Sequence, residues 1–81
     1  MDRNVQPDVL KGVFRANLKN RRKELGLTQA ALAKKIEAHQ PYIADLESGD
    51  RSPALETLAK LSEALGTSPA ELLGENFSRA T

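Results

Sequence analysis

Apolar positions along the chain recur mostly at intervals of three and four and never in sustained alternation, which predicts helices and no sheet. Leu10, Phe14, Leu18 and Leu25 stand at spacings of four, four and seven. They form one stripe of a helix over about 9–25, with Asp8 able to cap its start and Gly26 suited to a left-handed stop. A second helix, about 28–36, takes Thr28 as its cap and buries Leu32 and Ile36. Its small Ala30, Ala31 and Ala33 let a neighbour approach closely. A third, about 40–47, buries Ile43 and Leu46 and accommodates Pro41 only because that residue falls in the first turn. Ser48 to Pro53 is a loop by composition. Ser52 then caps, and Pro53 opens, a fourth helix centred on 54–65, with Leu55, Leu58, Leu61 and Leu65 as its stripe. Ser68-Pro69-Ala70-Glu71 has capping-box spacing and opens a fifth helix over 69–73, closed by Gly74. Residues 1–8 read as an N-terminal arm, 9–74 as one domain, and 75–81 as a tail that Phe77 could anchor.

Short connections between five such helices predict an all-α fold, a compact five-helix bundle around one modest core, which 81 residues can support. The chain has no Cys and a single His, His39. Disulfides, thiolate zinc sites and His-pair metal sites are thereby excluded, and no metal or other cofactor is expected. No Gly-rich phosphate loop accompanies His39, so no catalytic set is recognisable, and the chain is expected not to be an enzyme. The acidic run from Asp45 to Asp50 lacks the ligand alternation and closing Glu of a calcium loop. No small-molecule site is evident. No apolar run approaches the ~18 residues that span a bilayer, and residues 1–7 lack an apolar signal core. A cytoplasmic protein with no membrane partner is the expectation.

The net charge of +1 conceals an asymmetry. Residues 1–35 carry nine bases against three acids, a net of +6, and residues 36–81 carry three bases against eight acids, a net of −5. The basic part suits a polyanion partner, though a solvated helix face would carry the same charge.

Function is carried by the string GLTQAALAKKI, followed after a short turn by QPYIADLESGDRSP, inside a frame running from LKNRRKELG to LSEALGTSPAELL. Two short helices are separated here by Glu37-Ala38-His39. The first has small residues for close packing, and the second opens with polar residues, as a helix must that projects its start into a DNA major groove. Over residues 9–73 the chain resembles the lambda-repressor-like (Cro/CI, or XRE) helix-turn-helix family. That resemblance implies the family's DNA-binding fold and the work of a transcriptional regulator on double-stranded DNA.

The resemblance also implies roles for individual residues. Gln29, opening the second helix, would touch a phosphate and brace Gln40, which opens the third. Gln40 would read adenine, because an amide offers one donor and one acceptor to match N7 and N6. The remaining base-facing positions fall on Pro41 and Asp45, with Ala44 and His39 on the same surface. Pro41 offers only apolar contact, such as to a thymine methyl. Asp45 departs from the family's pattern: it either accepts from a cytosine amino group or is a solvated acid. Phosphate contacts fall to Thr28, Gln29, Arg15, Tyr42, Ser48 and Arg51, which set register without reading sequence. Arg22 and Glu47 are implied as a salt bridge fastening the third helix to the scaffold. Glu37 stands where relatives usually place Gly, so the turn is expected to carry strain or to adopt a slightly different conformation.

A homodimer on a pseudo-palindromic operator, with half-sites about one helical turn (~34 Å) apart, follows from how few bases one small domain can touch. Leu73 and Phe77 are the candidate dimer contacts. The competing reading is a protein-interaction, bridging or antitoxin module of the same fold, with DNA binding secondary.

Overall fold

A computed structural model describes residues 6–74 of the chain. Within them are α1 (Pro7–Glu24), α2 (Gln29–Lys35), α3 (Gln40–Ser48), α4 (Leu55–Ala64) and α5 (Pro69–Leu73), with no strand among the described residues. Phe77 lies outside the described residues. None of the described helices is long and apolar enough to cross a membrane.

Helix α1 begins earlier than its apolar stripe suggests. Gln6 is the N-cap and Pro7 the first helical residue, so Asp8 is not the cap and the end of the expected arm is helical. A proline at the first position has a preset φ and forfeits only an N–H that would be unpaired anyway. Asp8 keeps a favourable place near the positive end of the helix dipole. Phe14 and Leu18 are buried, whereas Leu25, expected in the same stripe, is exposed. Leu25 is the C-cap, where the chain turns away. The buried position one turn after Leu18 is filled instead by Arg22.

A second correction concerns α4. Its N-cap is Ala54, extended at ψ 160° and without a side-chain cap bond, so Ser52 does not cap and Pro53 does not open the helix. The first helical bond runs from Leu58 N to Ala54 O. Register is set by Leu58, Leu61 and Leu65, all buried. Leu55 sits at the helix's first residue, beyond the end of the core, and is 84% exposed. The α5 capping box forms by half: Ser68 Oγ accepts from Glu71 N at 3.1 Å, while the Glu71 carboxylate accepts from the Thr67 hydroxyl.

The core joins Phe14 and Leu18 of α1 to Leu32 and Ala33 of α2, Ile43 and Leu46 of α3, Leu58 and Leu61 of α4, and Leu72 of α5, with Leu65 following α4. Helix α2 packs on α3, α1 holds both α3 and α5, and α4 meets α5. Leu18, Leu32, Ile43, Leu61 and Leu65 have no exposed surface, and burial of each contributes on the order of 2 kcal/mol. Ser62, buried among them, is satisfied by donating back to Leu58 O at 2.8 Å.

Helices α1, α2, α3 and α4 all end in a left-handed residue: Gly26, Glu37, Gly49 and Gly66. Glu37 thus adopts the glycine conformation, at φ 60°, rather than an alternative turn. Its N–H donates to Lys34 O and that of Ala38 to Ala33 O, at 3.1 and 2.8 Å. These two bonds close the end of α2 and outweigh a backbone penalty of about 1 kcal/mol.

Candidate nucleic-acid interface

The two helices of the motif are set by their ends. Thr28 caps α2, its Oγ1 accepting from Ala31 N at 3.0 Å. On α3, His39 occupies the cap position without a side-chain bond, and Pro41 lies in the first turn. Burial of Ile43 and Leu46 turns the opposite face of α3 outward. Gln40 and Pro41 are exposed there, with His39 beside them, and Ala44 and Asp45 are half-buried one turn on.

A continuous chain of hydrogen bonds runs from the interior to this face. Arg22 donates from Nε to Glu47 Oε2 at 2.6 Å and from Nη2 to Glu47 Oε1 at 3.0 Å. Its Nη1 donates to Leu27 O at 2.7 Å. The two side chains are only 9% and 4% exposed. Gln29 Nε2 donates to Glu47 Oε1 at 3.1 Å, and Gln40 Nε2 donates to Gln29 Oε1 at 2.7 Å. Arg22 and Glu47 therefore meet as a paired, nearly dry ion pair, and Gln29 and Gln40 are in direct contact. Burial is the strongest influence on Glu47 and opposes its charge. The hydrogen bonds from Arg22 and Gln29, with the charges of Arg22 and Lys19, outweigh it and hold the carboxyl below its ordinary value. The bond to Glu47 likewise raises Arg22, against the opposing effect of burial.

Beside Arg22, three further residues of α1, Arg15, Asn17 and Arg21, have work inside the fold that sequence reasoning missed. Arg15 Nη1 donates to Ser48 O at 2.8 Å, at the end of α3. Arg21 Nε donates to Leu65 O at 2.9 Å, just past α4. Asn17 Nδ2 reaches Leu72 O and Gly74 O at 2.9 and 2.8 Å, at the end of α5. One helix thus supplies donors to the C-terminal carbonyls of three others, where positive charge also suits the helix dipole. Part of the basic excess is structural, and nothing local to α1 signals it. A side chain on Gly49 would project onto the Arg15 guanidinium, which would have to shift, while the φ of 91° is what favours glycine at this position.

The remaining candidates gather at the far end of α3. Ser48 Oγ donates to Asp45 O at 3.1 Å. Arg51 stacks over the Tyr42 ring, 5.6 Å from its centroid, and its Nε stands 3.9 Å from Asp45 Oδ2. Asp45 therefore has a cation beside it on the exposed face. Arg51 follows α3 in an irregular loop, so no periodicity could have joined the three. Leu73 is half-buried against the core.

The helix-turn-helix family pattern matches residues 18–72, which contain α2 and α3. The chain is 40% identical over 58 residues to an uncharacterized HTH-type transcriptional regulator, y4dJ, of Sinorhizobium fredii, covering 72% of this chain and 75% of that protein. It is 40% identical over 47 residues to the control protein C.BamHI of Bacillus amyloliquefaciens, where the match spans 58% of either chain. Among solved structures, the restriction-modification controller protein C.AhdI of Aeromonas hydrophila superposes with a TM-score of 0.73 at 32% identity, covering 76% of this chain and 94% of that one. Fold, motif and relatives agree: the chain belongs to the lambda-repressor-like (XRE-type) helix-turn-helix family of DNA-binding domains.

Proposed function

We propose that this protein is a sequence-specific transcriptional regulator that binds double-stranded DNA as a homodimer, with the start of α3 in the major groove. The observation that carries the reading is the hydrogen-bonded chain Arg22, Glu47, Gln29, Gln40. It leads from a nearly dry ion pair to an exposed amide at the N-terminal end of α3. Such pre-organisation is what base readout requires and what a merely solvated Gln would lack.

In this reading Gln40 makes the base contact, and Pro41, Ala44, Asp45 and His39 border the bases on either side. Gln29 and the exposed residues Thr28, Arg15, Ser48 and Arg51 lie along the phosphates, with the half-buried Tyr42 beside them. Arg51, beside Asp45, offsets the repulsion a carboxylate would meet near the DNA backbone. Two copies on a pseudo-palindromic operator supply the affinity one domain lacks, and Leu73 is the candidate contact between them. The names of the relatives, a control protein and a transcriptional regulator, support the regulatory role.

Selection of bound duplexes from a random pool tests it. A pseudo-palindromic consensus is expected, with half-sites about one helical turn (~34 Å) apart. Affinity should fall with salt by about 0.9 log units per decade for each phosphate neutralised. Gln40→Ala should weaken the consensus complex by about 1–3 kcal/mol while leaving random duplex binding unchanged. A flat salt dependence with no enriched sequence would instead assign the surface to a protein partner.

A further inference from the structure

A side-chain amide has two ends of similar size and opposite sense, an oxygen that accepts and an NH2 that donates. A Gln that reads a base must be held the right way round, because a half-turn exchanges the two. We propose that Glu47, acting through Gln29, fixes which way round Gln40 faces the base, and is thereby a specificity-determining positioning residue as well as an anchor for α3. This rests on Gln40 being a base reader, as proposed above.

The polarity of the chain follows from chemistry. An ionised carboxylate has no proton to give, so the partner of Glu47 Oε1 must be a donor. Gln29 is therefore obliged to turn its NH2 toward Glu47, with N to O at 3.1 Å. Its oxygen then faces the other way and can only accept. Gln40 must turn its own NH2 inward, as it does at 2.7 Å. One N–H and the carbonyl oxygen of Gln40 are left on the exposed edge, in a set order. Adenine presents an acceptor at N7 beside a donor at N6. In the reverse order oxygen would oppose N7 and N–H would oppose N6–H, and both contacts would repel. Glu47 is well suited to start the relay, since its pairing with Arg22 at 2.6 Å in a nearly dry site keeps it ionised at neutral pH.

Glu47→Gln lifts this obligation. Glu47 Oε1 accepts from both Arg22 Nη2 and Gln29 Nε2, and Oε2 from Arg22 Nε. The new amide therefore sets its NH2 against an Arg22 donor whichever way it turns, and its oxygen and NH2 compete for the position facing Gln29. With the NH2 there, Gln29 turns its own NH2 toward Gln40, whose oxygen then faces inward. Glu47→Gln combined with Gln29→Glu moves the acceptor-only group one step along the chain. Gln40 is again forced to turn its NH2 inward.

The experiment uses the full chain and duplexes that differ only at the base pair read by Gln40, identified by selection. The readout is the ratio of affinities between adenine and the other bases there. Glu47→Gln should lower that ratio about tenfold. The double variant should recover it, even though a carboxylate moved to position 29, nearer the phosphates, lowers affinity for every duplex. Helicity and melting check that each variant folds. If Glu47→Gln does not fold, Gln29→Ala, which leaves the Arg22–Glu47 pair intact, should show the same selective loss. The proposal is overturned if the folded variant weakens all duplexes equally and the ratio stands, or if the double variant fails to recover it. A wild-type protein with no preference among duplexes would sink the base-reading assignment itself, before any variant is compared.

Discussion

Replacing Arg22 by Met keeps much of the aliphatic stem on the buried side of α1 but removes every donor. Three hydrogen bonds are lost, two to Glu47 at 2.6 and 3.0 Å and one to Leu27 O at 2.7 Å. The Glu47 side chain, 4% exposed, is left as a buried carboxylate with Gln29 as its remaining hydrogen-bond donor. Breaking one side of a buried pair costs about 3–5 kcal/mol, and retained packing of the Met side chain places the expected loss near the lower end, about 3 kcal/mol. A domain of 81 residues has a total stability of about 4–12 kcal/mol, so the variant should fold but melt roughly 12–24 °C lower. The loss should also depend on pH, with a definite sign. In the native protein the folded pKa of Glu47 is depressed. The pair's stabilisation is therefore complete above the ordinary carboxylate value, about 4.3, and is lost as pH falls through the lower folded value. Without Arg22, burial dominates and the folded pKa rises. The variant's deficit is then relieved by protonation, largest near neutral pH and smaller near pH 4. Urea denaturation followed by circular dichroism at the two pH values measures both quantities. A deficit under about 1 kcal/mol, or one that does not shrink on acidification, would refute the account of Arg22 and Glu47 as a dry, coupled pair.

Glu37→Gly should stabilise the fold by about 1 kcal/mol, because a left-handed φ of 60° costs Gly little and Glu37 is exposed. Thermal melting checks this, and an unchanged or lower midpoint would mean that the turn is not strained. Asn17→Ala should cost about 1–2 kcal/mol by releasing the carbonyls at the end of α5. Amide hydrogen exchange should quicken at Leu72 and Leu73 while α2 and α3 keep their protection; a uniform change would contradict the capping role.

The elements legible in the sequence are those with short-range causes. Thr28, Pro41 and Ser68 mark helix starts because caps and prolines act within one turn. The spacing of Leu32, Ile36, Ile43 and Leu46 specifies buried faces because a helix repeats every 3.6 residues. Gln29 and Gln40 are named by the resemblance to the helix-turn-helix family, whose motif places both within the short segment that joins and opens two successive helices. Tertiary structure alone decided the rest. Leu25 and Leu55 satisfy the periodicity yet are exposed, since each lies at a helix end where the core stops. Asn17 and Arg21 find their acceptors 44 to 57 positions away, and Arg51 meets Tyr42 and Asp45 only because the loop folds back along α3. Such contacts depend on how helices are placed against one another, and no local preference encodes that. The direction in which the Gln40 amide faces belongs with them: its NH2 turns inward to Gln29 because Gln29 in turn donates to Glu47, which is held by Arg22.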